Sequence, residues 1–274
     1  MPVSALKFAA NLSWLYTDLP FLDRFEAAAR DGFKGVECLF PHEHPDDEVR
    51  ARLRACGLQL VLFNARPGAW AEGERGLACV EGREDAFRHA IDEALERACH
   101  LGCTRIHVMA GLVPEAPGPD DPAPSTAWDC YVERLRWAAE RAEGAGRILT
   151  IEPINRRDMP GYLLTRQAEA HRVVETIGSP ALQVQMDLYH CQVVEGDLTA
   201  RLRRWLPTGR VGHLQLAGVP DRGEPDQGEV NHVHVLAEVA RLGYLGWIGC
   251  EYRPRQSGPG GTSAGLAWRR SLAG

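Results

Sequence analysis

The sequence predicts a (β/α)8 TIM barrel, an α/β fold with eight parallel strands closed by surrounding helices, formed by residues 1–274 as a single domain. Three observations carry that expectation. Eight short apolar runs alternate with longer amphipathic segments from end to end, the pattern of a parallel sheet, and eight strands close a barrel. Several of the helical segments stop at a glycine: Gly32, Gly57, Gly102, Gly146, Gly178 and Gly243. The turn after the first run reads N-L-S-W-L-Y, without the glycines that an open, dinucleotide-binding sheet places there.

Taken in order, the apolar runs are Leu6–Asn11, Gly35–Phe40, Leu58–Asn64, Arg105–Ala110, Ile148–Ile154, Leu182–Asp187, Val211–Leu216 and Trp247–Tyr252. The helical patterns between them include Pro20–Asp31, Asp46–Cys56, Arg83–Leu101, Ser125–Ala145, Arg166–Ile177 and Val233–Arg241. Two connections exceed the usual short βα loop, Ala65–Gly82 and Gly111–Pro124. Both follow strands, on the side where barrel enzymes build active sites. Their prolines and an apparently buried Trp70 suit semi-rigid walls over a site, against the plainer reading of tolerated surface insertions. A glycine-rich stretch after residue 254 leads to one last helix.

Composition narrows the function. The chain has 274 residues with net charge −6, which disfavours non-specific binding to nucleic acid or to an anionic membrane. No apolar run approaches the ~18 residues that span a bilayer, and no signal peptide is legible at the N-terminus. The eight cysteines form no C-x-x-C pair and several lie in apolar runs, as reduced thiols of a cytoplasmic protein do. A homo-oligomer is compatible with the sequence, although no exposed apolar stripe is legible.

The last four strands supply the chemistry. Glu152 ends "TIEPIN", Asp187 ends "VQMD", Gln215 lies in "HLQLAG" and Glu251 in "GCEYRP". One oxygen donor near the same end of each successive strand is expected to converge at the barrel mouth. Three carboxylates gathered there require a cation. An all-oxygen set suits Mg²⁺ or Mn²⁺ over zinc held by thiolates. Flanking a substrate, Glu152 and Glu251 suit general acid–base work, one removing a proton and the other returning it. The competing reading ties each residue to a neighbouring arginine or backbone amide.

The segments "AANLSWLYTDLPFLDRF", "GVECLFP", "LVLFNARPGAWAEGERGLA", "HVMAG", "IEPINRRDMPGYLL", "QMDLYHCQ" and "DRGEPDQGEVN" resemble the hydroxypyruvate isomerase family. Its relatives include the 2-oxo-tetronate isomerases of the xylose-isomerase-like barrels. The resemblance runs from about residue 6 to 254. It implies isomerisation of a small 2-oxo acid through a metal-bound enediol, with no organic cofactor. Glu152 and Glu251 match the acid–base pair, and Glu152, Asp187, Gln215 and Glu251 match the metal ligands. Sugar 3-epimerases of the superfamily usually carry histidine at the third ligand, so Gln215 speaks against that alternative. An abasic-site endonuclease would want more histidine ligands and a basic face, and a non-catalytic module would have lost a ligand or a glutamate.

Candidate substrate-binding residues are His190, His107, Arg222, Glu224 and Trp70. Arginine binds carboxylates bidentately, so Arg222, in the polar loop after strand seven, leads as the partner of a small oxo-acid or sugar-acid anion. Its alternative role is an exposed ion pair with Glu224. Arg66, Arg157 and Arg253 also follow strand ends, and Asn11 and Phe63 are candidates to line the pocket. His190 and His107 have structural alternatives: a satisfied histidine and a packed one.

Overall fold

A computed structural model describes residues 1–113 and 124–271; the side chains of 270 and 271 are not included. Eight parallel strands follow one another in chain order and close into a barrel, as the sequence predicts. The strands are β1 (Lys7–Asn11), β2 (Gly35–Cys38), β3 (Gln59–Asn64), β4 (Arg105–His107), β5 (Ile148–Ile151), β6 (Leu182–Asp187), β7 (Val211–Leu216) and β8 (Trp247–Cys250). Six start where expected and β1 and β3 one residue later, and four end earlier: the expected β2, β4, β5 and β8 run two or three residues further than the hydrogen-bonded strands. The shortfall places Glu152 and Glu251 immediately after β5 and β8, where the Glu251 amide still donates to the Leu216 carbonyl of β7 (3.2 Å).

The chain divides into two compact units, residues 1–61 with 187–274, and residues 62–186. In the first, β1 pairs with β2 (Ala9 opposite Gly35) and with β8 (Lys7 opposite Trp247), and β7 pairs with β8 (Leu214 opposite Ile248). Its helices are α1 (Arg24–Arg30), α2 (Asp46–Cys56), α6 (Leu188–Val194), α7 (Leu198–Trp205), α8 (His232–Arg241), α9 (Gly261–Gly265) and α10 (Ala267–Ser271). α2 opens with Asp46, Asp47 and Glu48, whose charges favour a helix N-terminus, and stops at Gly57 with φ of 62°.

In the second unit, β3 pairs with β4 (Leu62 opposite Arg105), β4 with β5 (Arg105 opposite Ile148) and β5 with β6 (Leu149 opposite Leu182). Its helices are α3 (Glu84–Leu101), α4 (Ser125–Gly144) and α5 (Gln167–Ile177). α3 buries Phe87, Ala90, Ile91, Ala94, Leu95, Ala98 and Leu101, a stripe at three- and four-residue spacing. Each large side chain of such a stripe contributes about 1.5–3 kcal/mol on burial. α5 starts where Glu169 turns back to accept from the amides of Thr165 and Arg166 (3.0 and 2.9 Å).

The sequence pattern showed neither α6 nor α7, and the expected last helix is two short ones, α9 and α10. The long loop expected over Gly111–Pro124 lies, for residues 114–123, outside the described residues. The other long loop, 65–82, is pinned to the end of β4: Gly76 bridges Ala110, and the Cys79 amide donates to the Ala110 carbonyl (2.8 Å). Trp70 in that loop is 38% exposed, contrary to the burial its apolar context suggests, because Arg75 rather than the core covers its ring (3.9 Å to the centroid). No helix among the described residues is long and apolar enough to cross a membrane.

Candidate active site

In the first unit, the buried acids include Glu37 on β2, Asp187 on β6 and Glu251 just after β8. Asp187 is the last residue of β6 and also the cap of α6, where its Oδ1 accepts from the Tyr189 amide (2.8 Å). Its Oδ2 is buried and accepts no well-formed hydrogen bond among the described residues. The nearby nitrogens are His190 Nε2 at 3.6 Å and the Arg222 guanidinium at 3.5 Å. Burial pushes the Asp187 carboxyl up to about 6, against the pull of Arg222 and the amides of Tyr189 and His190.

Glu251 is held more firmly. Its Oε2 accepts from Arg222 (2.7 Å) and its Oε1 from Asn11 Nδ2 (3.1 Å). Burial nonetheless pushes this carboxyl up to about 8; Arg222 opposes the rise, and Asp187 and Glu37 add to it. The cluster thus holds more negative charge than its arginine offsets.

Arg222 is placed with care. Its guanidinium lies between the rings of Trp14 (4.7 Å) and Tyr189 (4.8 Å), and Arg253 covers Trp14 as well (5.2 Å). The backbone at Arg222 is left-handed, φ 55°, fixed by the Arg253 amide donating to its carbonyl (2.8 Å). The loop around it is cinched at Gly228, φ 102°, where a Cβ would strike the Val219 carbonyl. Arg222 therefore does not pair with Glu224 as the alternative reading supposed. Glu224 is buried away from the cluster's hydrogen bonds and accepts from the Arg255 amide (2.9 Å) and Nε (3.1 Å).

Gln215 donates its Nε2 to Glu37 Oε1 (2.7 Å). Glu37 was not among the sequence candidates. It is 1% exposed on β2, and its other oxygen meets His213 Nε2 at 2.7 Å. Asn11 Nδ2 spans Glu37 Oε1 (3.0 Å) and Glu251 Oε1 (3.1 Å). Space for Glu37 comes from Gly249 on β8, where a Cβ would collide with the carboxylate.

In the second unit, Glu152 follows β5, is 4% exposed, and its Oε2 lies 3.6 Å from His107 Nε2. His107 thus faces an acid and not merely the packing. Tyr162, fully buried, accepts from the Ala110 amide at its hydroxyl (2.8 Å). Arg66 and Arg157 are taken up by Glu93 (2.7 Å) and Asp158 (3.6 Å), and Phe63 is core. The Trp70 ring is covered by Arg75.

The oxygen-rich donor set, with one oxygen of Asp187 unsatisfied and an excess of buried carboxylate, fits a hard divalent cation. Within the first unit, Asp187, Gln215 and Glu251 carry side-chain oxygens of the kind such an ion takes.

Comparison with known proteins identifies the family. The chain is 52% identical over 268 residues to a 2-oxo-tetronate isomerase of Cupriavidus necator, covering 98% of this chain and 99% of that protein. It is 40% identical over 263 residues to the hydroxypyruvate isomerase of Escherichia coli, covering 96% and 98%. A crystal structure named as an AP endonuclease, family 2, from Brucella melitensis superposes with a TM-score of 0.90 at 41% identity, covering 99% of each chain. The family model of the xylose isomerase-like TIM barrel matches residues 25–272. The chain therefore belongs to the xylose isomerase-like TIM barrel family, among its hydroxypyruvate and 2-oxo-tetronate isomerases, and is an isomerase.

Proposed function

We propose that this isomerase interconverts hydroxypyruvate and tartronate semialdehyde, or the homologous 2-oxo-tetronate and 3-oxo-tetronate pair, through an enediol. Residues 1–274 act as one working domain. Glu152, Asp187, Gln215 and Glu251 hold a divalent ion, Mg²⁺ or Mn²⁺, and His190 stands beside Asp187. The observation that carries the reading is the pairing of Asp187 and Glu251: two buried carboxyls, raised in pKa, with Arg222 between them and one Asp187 oxygen unsatisfied. Glu152, Asp187 and His190 are also buried side chains each able to offer one atom to an ion.

A divalent ion bound there polarises the substrate's carbonyl and lowers the barrier to removing the neighbouring proton. The chain does the rest. One of Glu152 and Glu251 removes a proton from the hydroxyl-bearing carbon, and the other delivers a proton to the adjoining carbon. Arg222, fixed between two rings, binds the substrate carboxylate, and His190 and His107 donate to its oxygens. Reduced cysteines and the acidic balance suit a cytoplasmic enzyme of small anions. The name of the Brucella melitensis protein does not move the reading to DNA, because the net charge of −6 opposes that partner.

The test is proton NMR of hydroxypyruvate and of a 2-oxo-tetronate in deuterated buffer, with Mg²⁺, with EDTA, and with Glu152→Gln. Metal-dependent deuterium uptake beside the carbonyl, with product signals for one substrate and none from the variant, is expected. Absence of exchange in both substrates with metal present overturns the proposal.

A further inference from the structure

Gln215 is the one proposed ligand that can face the wrong way. A carboxylate presents the same oxygens after a half-turn; a primary amide presents nitrogen, which holds no cation. Something must fix its orientation. Its Nε2 lies 2.7 Å from Glu37 Oε1, and a carboxylate in that position accepts and does not donate. The amide nitrogen is therefore turned toward β2, and Oε1 is turned the other way.

The rest of the Glu37 environment serves the same end. Asn11 Nδ2 donates to the same Oε1 (3.0 Å) and, with its second hydrogen, to Glu251 Oε1 (3.1 Å). His213 Nε2 approaches Oε2 at 2.7 Å, while its Nδ1 is buried and meets no hydrogen-bond partner. Three donors on two strands, β1 and β7, thus converge on one carboxylate, in a gap that Gly249 leaves open. A purely structural acid at this position would need none of its donors to be a ligand or to touch the acid–base pair.

We infer that Glu37 is a positioning residue: it sets the amide of Gln215 so that oxygen faces the divalent ion, and through Asn11 it aims Glu251. The inference rests on the proposed metal site. Partners of this kind, one layer behind the ligands, typically change metal affinity about 10–100-fold when lost.

The test compares Mn²⁺ binding, by calorimetry and by the electron paramagnetic resonance of free Mn²⁺, in the wild type, Glu37→Gln and the exchange Glu37→Gln with Gln215→Glu. Folding is checked by circular dichroism. Glu37→Gln is expected to weaken Mn²⁺ by about tenfold or more while remaining folded, because an amide at 37 no longer dictates which end of Gln215 it meets. The exchange is expected to recover binding to within about threefold of the wild type, since a carboxylate ligand has no wrong orientation. A structural role alone would lower the melting temperature and leave affinity unchanged in both variants, which overturns the inference. Should Glu37→Gln fail to fold, Glu37→Asp takes its place: a tenfold or greater loss of Mn²⁺ affinity with the fold kept supports the inference, and wild-type affinity refutes it. A wild type that binds no Mn²⁺ removes the metal reading itself, and the inference with it; a wild type that binds while Glu37→Gln binds equally removes only the role of Glu37.

Discussion

Replacing Glu251 by glutamine should stabilise the metal-free protein above neutral pH while abolishing turnover. Glu251 is raised from the ordinary 4.5 to about 8. A carboxyl whose folded pKa is raised stabilises fully below its unfolded value, and that contribution is lost as pH climbs through the folded one. For Glu251 the window runs from 4.5 to about 8. At about 1.4 kcal/mol for each tenfold change in proton affinity, the whole loss is bounded by about 5 kcal/mol. Removing the charge also leaves Arg222 with Asp187 alone, so about half of that is a fair expectation. At ~2–4 °C per kcal/mol for a chain of this order, the variant should gain about 5–10 °C over the wild type between pH 5 and pH 8. The assay is thermal unfolding by circular dichroism in EDTA at half-unit pH steps, read as the difference between the two proteins. Taking the difference matters because burial pushes His232 down to about 4, and that histidine destabilises both proteins equally as pH falls below 6.5. Parallel curves for the two proteins across pH 5–8 would refute the raised carboxyl, and with it the excess of buried charge.

Other expectations follow from the same geometry. Mn²⁺ should bind more tightly at pH 8 than at pH 6, because it displaces protons from Asp187 and Glu251; calorimetry in two buffers of different ionisation enthalpy would count them. Arg222→Lys should raise KM for the oxo-acid about tenfold or more with a smaller change in kcat, since an ammonium neither stacks between Trp14 and Tyr189 nor binds a carboxylate bidentately. Gly249→Ala should cost about 1–3 kcal/mol, measured by denaturant titration, as Glu37 is forced from its place. Trp70→Ala should change stability by no more than about 0.5 kcal/mol and leave steady-state kinetics unaltered, its ring being half open to solvent.

The sequence makes the barrel legible because each strand is a short apolar run ended by punctuation, and the acids at 152, 187 and 251 interrupt those runs visibly. Glu37 is different. It sits inside "GVECLFP", a four-residue strand buried on both faces, where no alternation marks one residue as facing the interior. Its partners come from β1 and β7, and no local pattern links them. The helices α6 and α7 escaped for a related reason. Asp187 caps α6 with the same side chain that reads as a strand-end acid, and Gly196 with Asp197 divides the segment into pieces shorter than three turns. Trp70 misled because an aromatic in an apolar loop reads as buried, whereas cover by Arg75 leaves no trace in hydropathy.

Arg222 has a consequence for the charge balance of the metal-free chain. A barrel that gathers three acids on its inner ends, Glu37 among them, would repel itself during folding unless a counter-charge arrived in time. Here the counter-charge is covalent: it travels on the chain, is clamped by Trp14 and Tyr189, and stands 3.5 Å from Asp187 and 2.7 Å from Glu251. The metal-free chain thus carries its own partial neutralisation.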